Sequence, residues 1–299
     1  MSNHLEILRR NGKSFYWAGK LLPKKYLTRC AELYSFCRLL DDIADTKTKD
    51  KNLIKLNYIL DLFKKNDYKK LEENNIYVPS YLKNCKLAKS KIIDLIHGLI
   101  FDQKLVRIKS EKELILYCYR VAGTVGVLMC IALECKNKNS FNFATDLGIA
   151  MQLTNILRDI EEDAKLNRRY LPGKFINDLT PKEILILTKD HNHSNHSILK
   201  DAIKKILLIS EFYYKSGNKG LVFLNLKFRI AICIASNVYR EIGVKLKKNK
   251  FIWYKGRIYT TNFEKLKLTF KTFMKIFNLF KLKFPKHDQS LHKHLKEIL

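Results

Sequence analysis

Glycine and proline are scarce, at 11 and 5 of 299 residues. No Gly/Ser-rich or Pro-rich stretch divides the sequence, which argues against a linker between domains. No strict alternation of apolar and polar residues stands out, and no repeat of fixed period is detectable. Neither G-x-G-x-x-G nor G-x-x-x-x-G-K-[ST] occurs, so the sequence signs of a dinucleotide-binding sheet or a P-loop are missing. The seven cysteines (30, 37, 85, 118, 130, 135 and 233) form no C-x-x-C pair and are odd in number. Most lie in apolar surroundings, as buried free thiols in a reducing compartment do. Residues 1–10 lack the apolar core of a signal peptide, and the clearest uncharged run, residues 121–133, is short of the roughly 20 residues that span a bilayer. The expectation is one large all-α domain over residues 1–299, cytoplasmic and not embedded in a membrane.

Negative charge is also in deficit: 29 Asp+Glu face 57 Lys+Arg, a net charge of +28. An excess of this size points to anionic partners such as phosphate esters, a membrane surface or nucleic acid. Much of it is Lys scattered among Asn and Ile, which a solvated surface explains equally well, so charge alone names no partner.

Two clusters of carboxylates stand out. Along residues 152–172, Gln152, Asn155, Asp159 and Asp163 are spaced 3, 4 and 4 apart, which stacks them on one face of a helix. Met151, Leu153, Ile156, Leu157 and Ile160 make the rest of that segment apolar enough to be buried. Within Tyr26 to Asp45, Tyr34, Arg38, Asp41 and Asp45 are spaced 4, 3 and 4, with Leu33, Phe36, Cys37, Leu40 and Ile43 between them. Each stripe thus ends in two aspartates four apart. Carboxylates so crowded have raised pKa values unless cations compensate. Oxygen ligands without His or Cys select a hard ion, Mg²⁺ or Mn²⁺. If the two helices face each other, such ions would lie between them and grip a diphosphate, with Arg38, Arg158 and Arg168 neutralising its remaining charge.

Elsewhere the patterns are less informative. Residues 46–85 read as a surface helix (about 51–65) with polar connections, and 86–106 as a further helix in which His97 is structural. Residues 111–134 predict a strongly apolar helix interrupted by Gly123 and Gly126, with close helix packing as the default reason and Tyr117 and Tyr119 as cavity-lining candidates. Arg168 to Gly173 reads as helix-stop chemistry. The loop histidines His191, His193 and His196 are read as solvated rather than metal-binding. Two helical patterns in 198–246 are separated by Gly217 and Gly220. Phe270, Phe273, Phe277, Phe280 and Phe284, spaced 3, 4, 3 and 4 among lysines, predict a basic amphipathic helix, docked on the core in preference to a membrane.

The chain resembles the squalene/phytoene synthase family of head-to-head trans-isoprenyl diphosphate synthases. The resemblance rests on Ser14-Phe15-Tyr16, on residues 34–45, on residues 117–126, and on residues 152–163 continuing through Arg168-Arg169-Tyr170-Leu171-Pro172. Residues 238–243 are similar to the bacterial phytoene synthase branch in particular, whereas 46–85 and the last 30 or so match poorly.

The resemblance implies the isoprenoid synthase fold, a helical domain around a central cavity. It implies metal ions on Asp41, Asp45, Asn155, Asp159 and Asp163, with Asp41, Asp45, Asp159 and Asp163 essential for catalysis. It gives Tyr117 a part in proton removal, and Ser14, Phe15, Tyr34, Arg38, Gln152, Asn155, Arg158, Arg168, Tyr170 and Tyr239 places at the substrate. The implied reaction joins two geranylgeranyl diphosphates to phytoene through prephytoene diphosphate, a step in carotenoid biosynthesis, without NADPH. The alternative within the family is a squalene or dehydrosqualene synthase using two farnesyl diphosphates, and NADPH is expected only for squalene synthesis. Outside the family stands a basic membrane-surface or nucleic-acid-binding helical protein without catalysis, and within it a member that has lost activity and serves as an assembly subunit. The expected partners are prenyl diphosphates, with no nucleic acid. Peripheral contact with the cytoplasmic membrane face stays open, and the sequence says nothing of oligomeric state.

Overall fold

A computed structural model describes residues 3–45, 48–274 and 284–298. The described residues are all-α as expected, with one isolated parallel bridge between Arg107 and Arg169. The longer helices are α1 (Asn3–Asn11), α2 (Lys13–Gly19), α3 (Lys24–Ala44), α4 (Lys49–Lys65) and α5 (Lys86–Phe101). Next comes α6, which starts at Glu111, passes through one π turn (Tyr119–Gly123) and ends at Ala132. The series closes with α7 (Ser140–Arg158), the short α8 (Ile160–Lys165), α9 (Asn195–Lys219), α10 (Leu226–Lys248) and α11 (Asn262–Met274).

Helix α7 is the axis of the fold. Residues 145–150 are buried without interruption, so the helix is covered on all sides, by α6, α9 and α10. The glycines make this possible. A Cβ on Gly126 would stand 2.1 Å from the Ala144 carbonyl oxygen, and one on Gly148 2.2 Å from that of Ala122, so α6 and α7 touch backbone to backbone. Close helix packing is therefore the reason for the α6 glycines, and the π turn lies where they interrupt the helix.

Four expectations change. Residues 46–85 are more than surface: Leu56, Ile59, Leu62, Phe63, Leu71, Ile76, Val78 and Leu82 are all buried in a cluster with Leu33, Phe36 and Leu40 of α3. The alternation of these residues with lysine and asparagine masked a face that is apolar only in three dimensions. The run 121–133 is the second half of a 22-residue helix, Glu111–Ala132, that is by length and composition able to cross a membrane, yet it packs against α7. Residues 168–173 do not end a helix. α8 stops at Lys165, and the chain then runs alongside residues 106–109, with Ile108 N–H donating to Arg169 O at 3.1 Å and Gly173 N–H to Ile108 O at 2.9 Å.

The fourth is α11, whose orientation is inverted relative to a docked amphipathic helix. Lys265 and Thr272 are buried, whereas Phe263 (76% exposed), Leu266, Phe270 (66%), Phe273 and Met274 face solvent. Trp17 Nε1–H donates to Thr269 Oγ1 at 3.0 Å, and Asn237 Nδ2 to Thr272 Oγ1 at 3.1 Å, which holds the polar side inward. Phe277 and Phe280 lie outside the described residues.

Candidate active site

The two aspartate stripes meet. α3 buries Leu33, Phe36, Leu40 and Ile43, and that register turns Tyr34, Arg38, Asp41 and Asp45 toward α7. α7 ends at Arg158, and Asp159 (φ −107°, ψ 19°) is a break between α7 and α8 rather than part of one continuous helix. The Asp163 N–H still donates to Asp159 O at 2.8 Å, so the face carrying Gln152, Asn155, Asp159 and Asp163 is preserved across the break. Asp41, Asp45, Asn155, Asp159, Asp163, Arg38, Gln152, Arg168, Tyr117 and Tyr170 all line one polar pocket of about 180 Å³.

A second, apolar cavity of about 350 Å³ opens from it, sharing Arg38, Asp41, Gln152 and Asn155 and continuing between Phe15, Tyr34, Met129, Leu133, Phe143 and Tyr239. Phe15 stacks on Tyr239 with ring centroids 5.0 Å apart and lies 6.3 Å from Tyr34. Arg158 lines neither space. It chelates Asp159 through Nε at 2.7 Å and Nη2 at 2.5 Å. Ser14, one residue before Phe15 on α2, lines neither space. Tyr119 does not reach the cavity, since its hydroxyl is buried between Lys91 Nζ and Asp94 Oδ2, both at 2.7 Å.

The carboxylates of the pocket are crowded and only partly compensated. Burial first, and then the neighbouring Asp45, push the Asp41 carboxyl up to about 7. Burial and then Asp159 raise Asp163 to about 8. Arginines stand in as partial compensation: Arg257 Nε reaches Asp159 at 2.9 Å, Arg168 Nη1 reaches Asp45 at 3.4 Å, and Arg38 Nη2 is held by the exposed Asp42 at 2.6 Å. Asn155 donates its Nδ2 to Gln152 Oε1 at 3.2 Å, which leaves its Oδ1 buried without a hydrogen-bond partner. An orphaned oxygen among under-compensated carboxylates fits a hard divalent cation, so the residues present suit Mg²⁺ or Mn²⁺.

Sequence reasoning missed two residues of this site. Asp102, the C-cap of α5, accepts from Tyr117 Oη at 2.9 Å and from Tyr170 Oη at 2.8 Å, while burial raises it to about 6. Its signal was a single carboxylate after the apolar run Leu99-Ile100-Phe101. Arg257 had none, lying in a short irregular stretch between α10 and α11. The Tyr117 phenol, stacked 4.7 Å from Tyr170, is pushed well above its ordinary value by burial and by Asp102.

The squalene/phytoene synthase family model matches residues 8–264. The chain belongs to that family. It is 30% identical over 280 residues to the 15-cis-phytoene synthase of Pantoea ananas, covering 89% of each chain. To the 15-cis-phytoene synthase of Paracoccus sp. it is 28% identical over 272 residues, with 88% and 87% covered. Among solved structures it superposes on a dehydrosqualene synthase with a TM-score of 0.75 at 24% identity, covering 92% of this chain and 95% of that one. A squalene synthase from Alicyclobacillus acidocaldarius gives 0.66 at 16%, with 83% and 94% covered. These likenesses place the fold among the isoprenoid synthases.

Proposed function

We propose that this chain condenses two geranylgeranyl diphosphates head to head, through the cyclopropyl compound prephytoene diphosphate, to phytoene, releasing diphosphate. The observation that carries the reading is the junction of the two spaces: a carboxylate- and arginine-lined pocket opens directly into an apolar cavity at Arg38, Asp41, Gln152 and Asn155. A prenyl diphosphate has the same two halves. The naming of the bacterial relatives as 15-cis-phytoene synthases supports the choice of substrate and product.

Asp41, Asp45, Asn155, Asp159 and Asp163 would hold Mg²⁺ or Mn²⁺, which when bound neutralises charge on the diphosphate as it departs. Arg38 and Arg168, which line the pocket, supply further positive charge to the phosphate oxygens, while Arg158 and Arg257 pair with Asp159. Phe15, Tyr34 and Tyr239 line the apolar cavity, where a carbocation gains from aromatic quadrupoles. The apolar walls keep water from that cation. Proton removal in the first half falls to the Tyr117–Asp102 pair: the phenol, held protonated, passes its own proton to Asp102 as it accepts one from the substrate. No step in this sequence calls for NADPH.

We further read residues 1–299 as one catalytic domain that acts in the cytoplasm against an anionic membrane, the source of its apolar substrate. The outward Phe263, Leu266, Phe270, Phe273 and Met274, flanked by Lys267 and Lys271, form an apolar strip with a basic border suited to acidic headgroups.

The test is incubation of the purified protein and Mg²⁺ with geranylgeranyl or farnesyl diphosphate, each with and without NADPH. Phytoene formed without NADPH supports the proposal. Squalene formed only with NADPH, or dehydrosqualene as the sole product, replaces it with the farnesyl-using alternative.

A further inference from the structure

The fully buried carboxylate that the diphosphate site does not use is Asp146, in the middle of α7. Among the described residues no Lys or Arg pairs with it. Ser216 Oγ donates to its Oδ2 at 2.5 Å, His287 Nε2 lies 2.8 Å from the same oxygen, and His292 Nε2 lies 2.7 Å from Oδ1. Both imidazole side chains are 5% exposed. One ligand atom from each of Asp146, His287 and His292 lies within 4.8 Å of the others.

A carboxylate withdrawn from water needs a positive charge beside it. One imidazolium proton would supply that charge, yet two imidazoles converge, both by Nε2, from a segment whose H-x-x-x-x-H spacing suits a shared ion. The donor set, two imidazoles and one carboxylate, differs in kind from the all-oxygen set of the diphosphate pocket and selects a softer cation. The frame is already in place: Tyr213 Oη donates to Leu291 O at 2.7 Å, and Leu295 is fully buried in the core.

We propose that Asp146, His287 and His292 bind Zn²⁺, with Ser216 Oγ or a water as fourth ligand, and that this zinc fastens residues 284–298 to α7 and α9. Phe143 and Leu147 on α7 and Gly217 on α9, which flank Asp146 and Ser216, line the apolar cavity. The zinc therefore stands behind the cavity wall, where it sets how firmly two helices meet rather than touching the substrate.

The experiment uses the full chain, purified without a polyhistidine tag, stripped with chelator and saturated with Mg²⁺. It is then titrated with Co²⁺ as a visible probe and afterwards with Zn²⁺. The expected result is one equivalent of cobalt giving the d–d absorption of a tetrahedral site, displaced by one equivalent of zinc. The signal is lost in His292→Ala and in His287→Gln, and retained in Asp41→Asn, which alters only the other pocket. Zinc raises the melting temperature of the wild type but not of His292→Ala. Folded wild-type protein that takes up no stoichiometric cobalt or zinc overturns the proposal. So does a cobalt signal that survives His287→Gln or disappears in Asp41→Asn. If His292→Ala fails to fold, His287→Gln and the wild-type stoichiometry decide.

Discussion

Metal binding as proposed at the aspartate-lined pocket would displace protons, and the structure sets the size of the effect. Asp41 and Asp163 sit at about 7 and about 8, so at pH 6 both are largely protonated in the metal-free protein. Binding a divalent ion to the carboxylates releases these protons, so affinity rises with pH. Between pH 6 and pH 8 the two titrations together strengthen binding roughly 10²- to 10³-fold, about 3–4 kcal/mol, less whatever screening the partly exposed side chains receive. The same shifts act on folding. Both carboxyls are raised above an ordinary value of 3.8, so the native state holds more protons than the unfolded chain. Their contribution to stability is full below about pH 4 and is lost as pH rises through 7 and 8. Isothermal titration with Mn²⁺ in buffers of different ionisation enthalpy measures both the affinity and the proton count, and thermal melts with and without metal measure the linkage. An affinity that changes less than about threefold over this window, with no proton release, would refute the reasoning.

Further outcomes follow from the same geometry. Asp41→Asn and Asp159→Asn should abolish turnover with the circular dichroism spectrum intact, and Asp41→Asn should also raise the metal-free melting temperature at pH 8, because it removes a carboxylate that burial disfavours. Gly126→Ala places a methyl 2.1 Å from the Ala144 carbonyl oxygen and should cost about 2–3 kcal/mol or more in urea unfolding, whereas wild-type stability would show that α6 and α7 can separate. Asp102→Asn should lower kcat by roughly 10²-fold or more with little change in KM, as loss of a proton acceptor does; an unaltered kcat would leave Tyr117 and Asp102 a purely structural pair. Replacing Phe263 and Phe270 by Ser should weaken co-sedimentation with anionic vesicles without affecting turnover of detergent-dispersed substrate, and equal binding by both proteins would remove α11 from the membrane account.

The aspartate stripes were legible because they break a local rule: a buried helix should not carry a polar row at its own period. Asn155 and Asp163 could be read from that row, and the structure places them in one pocket with Asp41 and Asp45. Asp102 and Arg257 were not legible, because each is a single polar residue whose meaning comes only from what another element brings to it. The core contribution of residues 46–85 was hidden for a related reason. Short helices and extended turns bury Leu71, Ile76, Val78 and Leu82 without sustaining any period. For α11 the period was readable but its direction was not, since which face meets the core depends on hydrogen bonds from Trp17 and Asn237 far away in sequence. Likewise His287 and His292 acquire a role only when Asp146, more than a hundred residues earlier, comes to lie between them.

The account stands or falls on a time-resolved product analysis. With isotopically labelled geranylgeranyl diphosphate, Mg²⁺ and excess enzyme, quenched at intervals, it predicts that a C40 cyclopropyl diphosphate appears first and decays into phytoene, with no NADPH present and with neither species formed by Asp159→Asn. Failure of folded wild-type protein to couple two geranylgeranyl units, or undiminished product from the Asp159→Asn protein, would contradict it.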